Sequence, residues 1–218
     1  MSAPRHACAL LELAGTRESE RLPIGERDRK LLQLRAATFG PSLDLLVTCP
    51  ACREQLELSI EIARLCEASA ELGEHQLVLD DGAELTFRLL DSVDQVIASH
   101  SADPASTLVE RAIVSAPRSL TEDETARLGE RLSELDPVSD LLLDATCPAC
   151  AHDWQAELDP AAFVAAEIRA AAERLLREVA TLARAFGWTE PTVLALSKAR
   201  RRAYLEMADA MLGGVGTS

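Results

Sequence analysis

The chain has 218 residues, with 36 acidic against 22 basic side chains, a formal charge of −14 and a pI near 4.7. That balance repels phosphate backbones, and aromatics at 3% leave little for base or sugar stacking, so nucleic-acid binding is disfavoured. A 48% apolar content supports a packed core, and no apolar run nears the roughly 18–20 residues that cross a bilayer. Met1-Ser2-Ala3-Pro4-Arg5-His6 leads into an apolar patch broken by Glu12, unlike a signal sequence, which points to a cytoplasmic protein without membrane contact.

In chain order, residues 5–21 read as a helix, broken by Leu22-Pro23-Ile24-Gly25. Glu26–Thr38 reads as a second, with Leu31, Leu32 and Leu34 apolar and Gly40-Pro41 closing it. Next comes Thr48-Cys49-Pro50-Ala51-Cys52, whose wording returns 98 residues later as Thr146-Cys147-Pro148-Ala149-Cys150. Asp44-Leu45-Leu46 precedes the first copy and Asp140-Leu141-Leu142-Leu143 the second. Leu56, Leu58 and Ile60 alternate after the first, and Trp154 and Leu158 follow the second. Each copy therefore predicts strand, turn, strand, a knuckle spanning about 43–60 in the first case.

The spacing has a chemical reason. Zn²⁺ takes four tetrahedral ligands with Zn–S near 2.3 Å. Two residues between thiolates let one tight turn supply two corners, and proline pre-sets φ for that turn. A second turn must supply the other two. Cys49, Cys52, Cys147 and Cys150 thus form one structural Cys₄ site, with one Zn²⁺ per chain and no open position for catalysis. A thioredoxin-like redox pair would open a helix, whereas alternating residues follow here. Secretory disulfides do not suit a chain without a signal peptide. His152 is read as solvent-facing, and Cys66, beside Ile62 and Leu65, as a core residue; Cys8 receives no role.

Between the knuckles, 94 residues form a mostly helical insertion into a split zinc ribbon. A short helix runs to about residue 70. A hairpin follows, with Leu77 and Leu79 before Asp80-Asp81-Gly82 and Leu85, Phe87 and Leu89 after it. Ser92 caps a short helix through Ile97, and Pro104–Val114 is another. Thr121 caps a helix to about Leu135 with Glu124 completing a capping box, and Pro137 breaks it.

After the second knuckle, Asp159-Pro160 opens a helix of about 26 residues. Val164, Ile168, Ala171, Leu175, Val179, Leu182 and Phe186 recur at spacings of three and four, with a Glu173–Arg177 pair on the other face. Thr189 caps a short helix through Leu196, and Ser197 a last one to Leu212, stopped by Gly213-Gly214. The fold class is α+β and mainly helical. Its parts are N-terminal helices over 1–42, a split zinc-ribbon domain over 43–159 (insertion about 61–138), a helical bundle over 160–212 and a flexible tail over 213–218.

Arg200, Arg201 and Arg202 stand out in so acidic a chain, at a helix start where the macrodipole disfavours cations. They read as solvated or internally paired, or as a contact for an acidic partner. Trp188 and Tyr204 flank them, as helix packing or as an interface hot spot. No phosphate-cradling loop, nucleophile elbow or His-Glu-x-x-His pair is present, so no catalytic residue is assigned.

Several segments carry a family resemblance: Leu22-Pro23-Ile24-Gly25-Glu26-Arg27-Asp28, Leu31-Leu32, Leu34-Arg35 and Phe39-Gly40 before the first knuckle. After the second come Ala162-Phe163, Glu167-Ile168, Ala185-Phe186-Gly187-Trp188-Thr189-Glu190, Leu194-Ala195-Leu196-Ser197 and Arg200-Arg201-Arg202-Ala203-Tyr204-Leu205-Glu206-Met207. The chain resembles small proteins associated with contractile phage tails and injection systems, and its C-terminal part is similar to the baseplate hub assembly chaperones of T-even phages. The resemblance implies a non-enzymatic baseplate or hub component or assembly factor, with hub or spike proteins as partners. It carries over the knuckle cysteines and the Trp188–Tyr204 segment. Two other classes stay open: a zinc-ribbon adaptor contacting transcription machinery, and a thiol oxidoreductase.

Overall fold

The computed structural model describes residues 3–213, and the tail expected at 213–218 lies, beyond Gly213, outside the described residues. The chain is a mixture of helix and sheet that divides into two compact units after Ala165.

Unit 1 opens with α1 (Ala3–Leu13) and a single 3₁₀ turn at Ser19–Arg21. The helix expected to reach residue 21 stops early because Gly15 takes φ 95° and Glu18 takes φ 51°. Helix α2 (Ile24–Phe39) begins two residues earlier than its apolar pattern suggests. Its start is capped from afar, the Gly25 amide donating to Asp136 Oδ2 at 2.9 Å. The other oxygen, Oδ1, is buried without a partner. Burial pushes the Asp136 carboxyl up, and the nearby Asp28 and Glu26 charges add to the rise.

The two cysteine motifs sit in antiparallel hairpins, β1 (Ser42–Thr48) with β2 (Gln55–Glu61) and β6 (Leu141–Thr146) with β7 (Asp153–Leu158). Each is its own two-stranded sheet. Leu43, Leu45, Leu143 and Leu158 from the hairpins share one core with Leu32 of α2 and with Ile62. The helix after β2 is one turn, α3 (Ile62–Leu65), not a run to residue 70. Past Leu65 and Cys66, which pack on that core, no apolar residue larger than alanine extends a buried face before Leu72.

The insertion is less helical than its sequence suggests. β3 (Glu74–Val78), β4 (Glu84–Arg88) and β5 (Ile113–Ser115) form a three-stranded antiparallel sheet that shares a core with α5 (Pro104–Ala112) and α6 (Glu122–Leu135), while α4 (Ser92–Ala98) packs against α5 and α1. Helix α5 ends at Ala112, not Val114, because β-branched Ile113 and Val114 enter the sheet, where Ile113 pairs with Phe87. Leu79, Leu85, Phe87, Leu89, Leu128 and Leu135 form its core. The cap of α4 is Asp91 rather than Ser92: its carboxylate accepts from the Val93 and Asp94 amides, while the Ser92 hydroxyl accepts from Arg27.

Buried charges hold these layers in register. Arg27 grips Asp28 through two bonds of 2.7 and 2.9 Å and donates to Ser92 and Gln95 of α4. Asp94 accepts from Arg88 at 2.7 and 3.0 Å, from the Asp91 amide and from Arg111. Glu124 completes the expected capping box and accepts from Arg118 at 2.8 Å through each oxygen and from the Asp80 amide. That carboxylate ties the β3–β4 turn to the start of α6.

Unit 2 comprises α7 (Pro160–Phe186) from Ala166 onward, α8 (Glu190–Leu194) and α9 (Lys198–Gly213). Asp159 caps α7, accepting from the Ala162 amide, and Gly187 at φ 70° ends it. Thr189 makes no cap bond; its hydroxyl pairs with that of Thr192, and α8 closes at Leu194 instead of Leu196. Leu182, Val193 and Ala208 form the core of this unit.

A Cβ at Gly25 would stand 2.0 Å from Asp136 Oδ1 and 2.7 Å from the Ser139 backbone nitrogen. Gly25→Ala should therefore destabilise by about 2–3 kcal/mol in urea unfolding, whereas Gly129→Ala should stabilise by about 0.5–1 kcal/mol. The second site is exposed, lies in mid-helix and has open space around it. The Arg118 guanidinium, with the Thr121 and Asp80 amides, holds Glu124 well below the usual carboxylate range. Its contribution is present above the unfolded value of about 4.3 and lost as pH falls toward the folded value. Glu124→Gln should thus lower the melting temperature at pH 7, and the gap to wild type should narrow steadily below about pH 4.

Candidate metal centre

The two motif turns are built alike. The Cys49 amide donates to Glu54 O at 2.8 Å and the Arg53 amide to Cys49 O at 3.0 Å; the second copy repeats this with Cys147 to His152 O and Ala151 to Cys147 O. Arg53 and Ala151, at the same place in each turn, take φ 68° and 56°. Both are L-residues in a region that favours glycine. The repeat therefore extends to a shared left-handed position that residue identity conceals.

Across the hairpins the four sulfurs converge, all within 4.8 Å of one another. Cys49 Sγ lies 3.8 Å from Cys150 Sγ, and Cys52 Sγ lies 3.5 Å from Cys147 Sγ. These are too long for an S–S bond of about 2.05 Å. They match the edge of a tetrahedron whose centre is about 2.3 Å from each corner, which is about 3.8 Å. The first cysteine of each turn is buried and the second exposed. Leu56, Val47 and Trp154 pack around Cys49 and Cys147. The donor set fits a thiophilic metal ion.

Charge explains why a cation suits the site. Burial pushes the Cys49 thiol up, but the Cys52 and Ala51 amides and the neighbouring thiols outweigh it and bring it to about 7. The Glu54 amide draws Cys52 down, yet Cys150 and Cys147 override it and push it up to about 12; Cys150 is also raised. Without a cation, one thiolate suppresses the ionisation of its neighbours, and a divalent ion removes that conflict.

The other candidates fall into place. His152 is exposed and stacks on Trp154 at 6.2 Å, outside the four-thiol group. Strands, not a helix, follow both cysteine pairs, so the helix start that a thioredoxin-like pair requires is missing at both. Cys66 packs against the hairpin core, and Cys8 is buried with its sulfur 3.4 Å from the Ser92 hydroxyl. In unit 2, Trp188 stacks on Phe186 at 4.9 Å, and Tyr204 meets Trp188 edge-on at 4.8 Å. The three arginines diverge. Arg201 is mostly covered and pairs with Glu178 at 2.6 Å, Arg202 reaches Glu206 at 3.3 Å, and Arg200 is exposed. Among the described residues, no helix is long and apolar enough to cross a membrane.

The strain at the left-handed positions gives a direct check. Ala151→Gly should raise stability by about 0.5–1 kcal/mol in denaturant unfolding, since relief of the left-handed penalty exceeds the entropy cost of glycine.

Comparison with curated proteins and with solved structures returns no match. A family model described as T4 bacteriophage base plate protein matches residues 9–160, more than two thirds of the chain. The match spans both cysteine turns, α2 and the whole insertion, and ends at residue 160, the start of α7. The hairpins that gather the four thiols, and the helices that bring them together, are thus those of a T4 bacteriophage base plate protein family member, and the chain belongs to that family.

Proposed function

We propose that the chain is a non-enzymatic structural or assembly component of the baseplate or hub of a contractile, phage-tail-like injection particle, stabilised by one structural Zn²⁺. The family membership supports the baseplate assignment. The observation that carries the zinc reading is the convergence of four sulfurs within 4.8 Å from two turns 98 residues apart. Soft thiolates in tetrahedral array select zinc, and four protein ligands leave no place for a substrate or an activated water.

On this reading the hairpin pair is a split Cys₄ zinc ribbon over residues 43–159, with the insertion carried between its halves. Zinc supplies a cross-link and the positive charge that lets all four thiols ionise. The protein's part is to hold two preformed turns face to face, with Leu56, Val47 and Trp154 limiting water at the buried sulfurs. The bundle from residue 160 onward, with Trp188, Arg200, Arg201, Arg202 and Tyr204, is the proposed docking region for hub or spike proteins. The chain acts in the cytoplasm during assembly and is carried into the finished particle.

Elemental analysis of purified protein should return about one zinc per chain. Cys49→Ser should lose that zinc and roughly 3 kcal/mol or more of stability, a fraction of the roughly 10–16 kcal/mol that zinc contributes to small metal-dependent folds. Protein that carries no metal and is indifferent to Cys49→Ser would overturn the zinc reading. Failure to co-purify with hub or spike proteins of its own particle would overturn the docking reading.

A further inference from the structure

Within unit 2, α8 and α9 pack against the end of α7. The core of Leu182, Val193 and Ala208 draws in Val179, Ala185 and Phe186 of α7, and Arg201 reaches back to Glu178. From 166 to 177, more than three turns, no residue is buried. Ile168, Ala171, Ala172, Leu175 and Leu176 share one side of that stretch at helical spacing; Ile168, Ala171 and Leu175 are half-buried, while Ala172 is exposed and Leu176 is 59% exposed. Such a stripe on a helix is a half-made helix pair.

Charge selects the occupant. Glu167 and Arg174 lie seven residues apart along the same edge of the stripe, next to Ile168 and Leu175. The opposite edge carries alanines, Ala165 and Ala172, which permit close approach but offer no charge. A parallel second copy would set Glu167 against the alanine edge. An antiparallel copy sets the two charged edges together. One register places Glu167 opposite Arg174 of the second copy, and Arg174 opposite Glu167, with Ile168 over Ala171 in both directions. Shifting by one heptad opposes Glu167 to Glu167, or Arg174 to Arg174, and is repulsive. Glu167 already has an interaction within its own chain, and a carboxylate accepts more than one donor.

We propose that this face of α7, residues 166–177, is a self-association surface that pairs antiparallel with a second copy of the chain, in the register set by reciprocal Glu167–Arg174 contacts. The arrangement is isologous and closes at two copies.

Sedimentation equilibrium on the full chain tests it across roughly 5–300 μM, since a single helix pair buries less than the roughly 1,200 Å² of a standard interface and binds weakly. The expected result is a monomer–dimer equilibrium. Glu167→Arg should weaken dimerisation about tenfold, as should Arg174→Glu at its exposed position, and the double reversal should restore it to within about threefold because the pair is re-formed with signs exchanged. Circular dichroism identifies any variant that fails to fold, and Arg174→Glu then carries the test. A monomer at every concentration overturns the proposal. So does a dimer indifferent to either reversal, a double variant no better than the single ones, or association that grows beyond two.

Discussion

Four thiols can hold one divalent ion only if two turns 98 residues apart present their sulfurs within tetrahedral reach, and unit 1 meets that condition. Each turn alone supplies two corners, so neither hairpin completes a site. The chain must leave the first hairpin, build a three-stranded sheet with three helices, and return so that β6 and β7 face the same core as β1 and β2. Among the described residues, no backbone ladder joins the two hairpins. Side-chain packing and the sulfur cluster are what they share, and bridging the sulfurs closes the long loop between them.

Helix α2 makes the return possible. It places Leu32 in the hairpin core, sends Arg27 to Ser92 and Gln95 in the insertion, and has its first turn capped by Asp136 just after α6. Three points of the chain are thereby fixed to one rigid element. The resemblance segment running from Leu22 to Asp28 is thus explained as structure. Gly25 leaves room for the Asp136 carboxylate, and Arg27 with Asp28 forms a buried fork.

Several buried or half-buried arginines answer carboxylates inside the protein: Arg27 with Asp28, Arg88 and Arg111 with Asp94, and Arg118 with Glu124. For Arg27–Asp28, buried on both sides, removing the arginine costs about 3–5 kcal/mol because a carboxylate is left buried without its partner. These arginines are spent on internal register, which leaves the outer surface of a −14 chain still less suited to a phosphate backbone. Arg201, mostly covered against Glu178, continues the pattern in unit 2.

Local chemistry was legible wherever a few neighbouring residues decide the outcome. The duplicated Cys-Pro-Ala-Cys word marked both hairpins, Thr121 with Glu124 marked a helix start, and Asp159-Pro160 marked another, because each acts on backbone groups within four residues. What failed was decided at a distance. Asp91 displaced Ser92 as a cap because Arg27, 65 residues away, engages the Ser92 hydroxyl. Ile113 and Val114 left a helix for a strand because β4 offered an open edge beside Phe87. Helix α2 started early because Asp136 came from 111 residues away. By itself the sequence determined the two cysteine turns and the hairpins that carry them, since thiol spacing and turn chemistry are local. Only the tertiary structure decided that the two turns meet and which charges are buried, since those outcomes depend on groups brought together by packing and not by order along the chain.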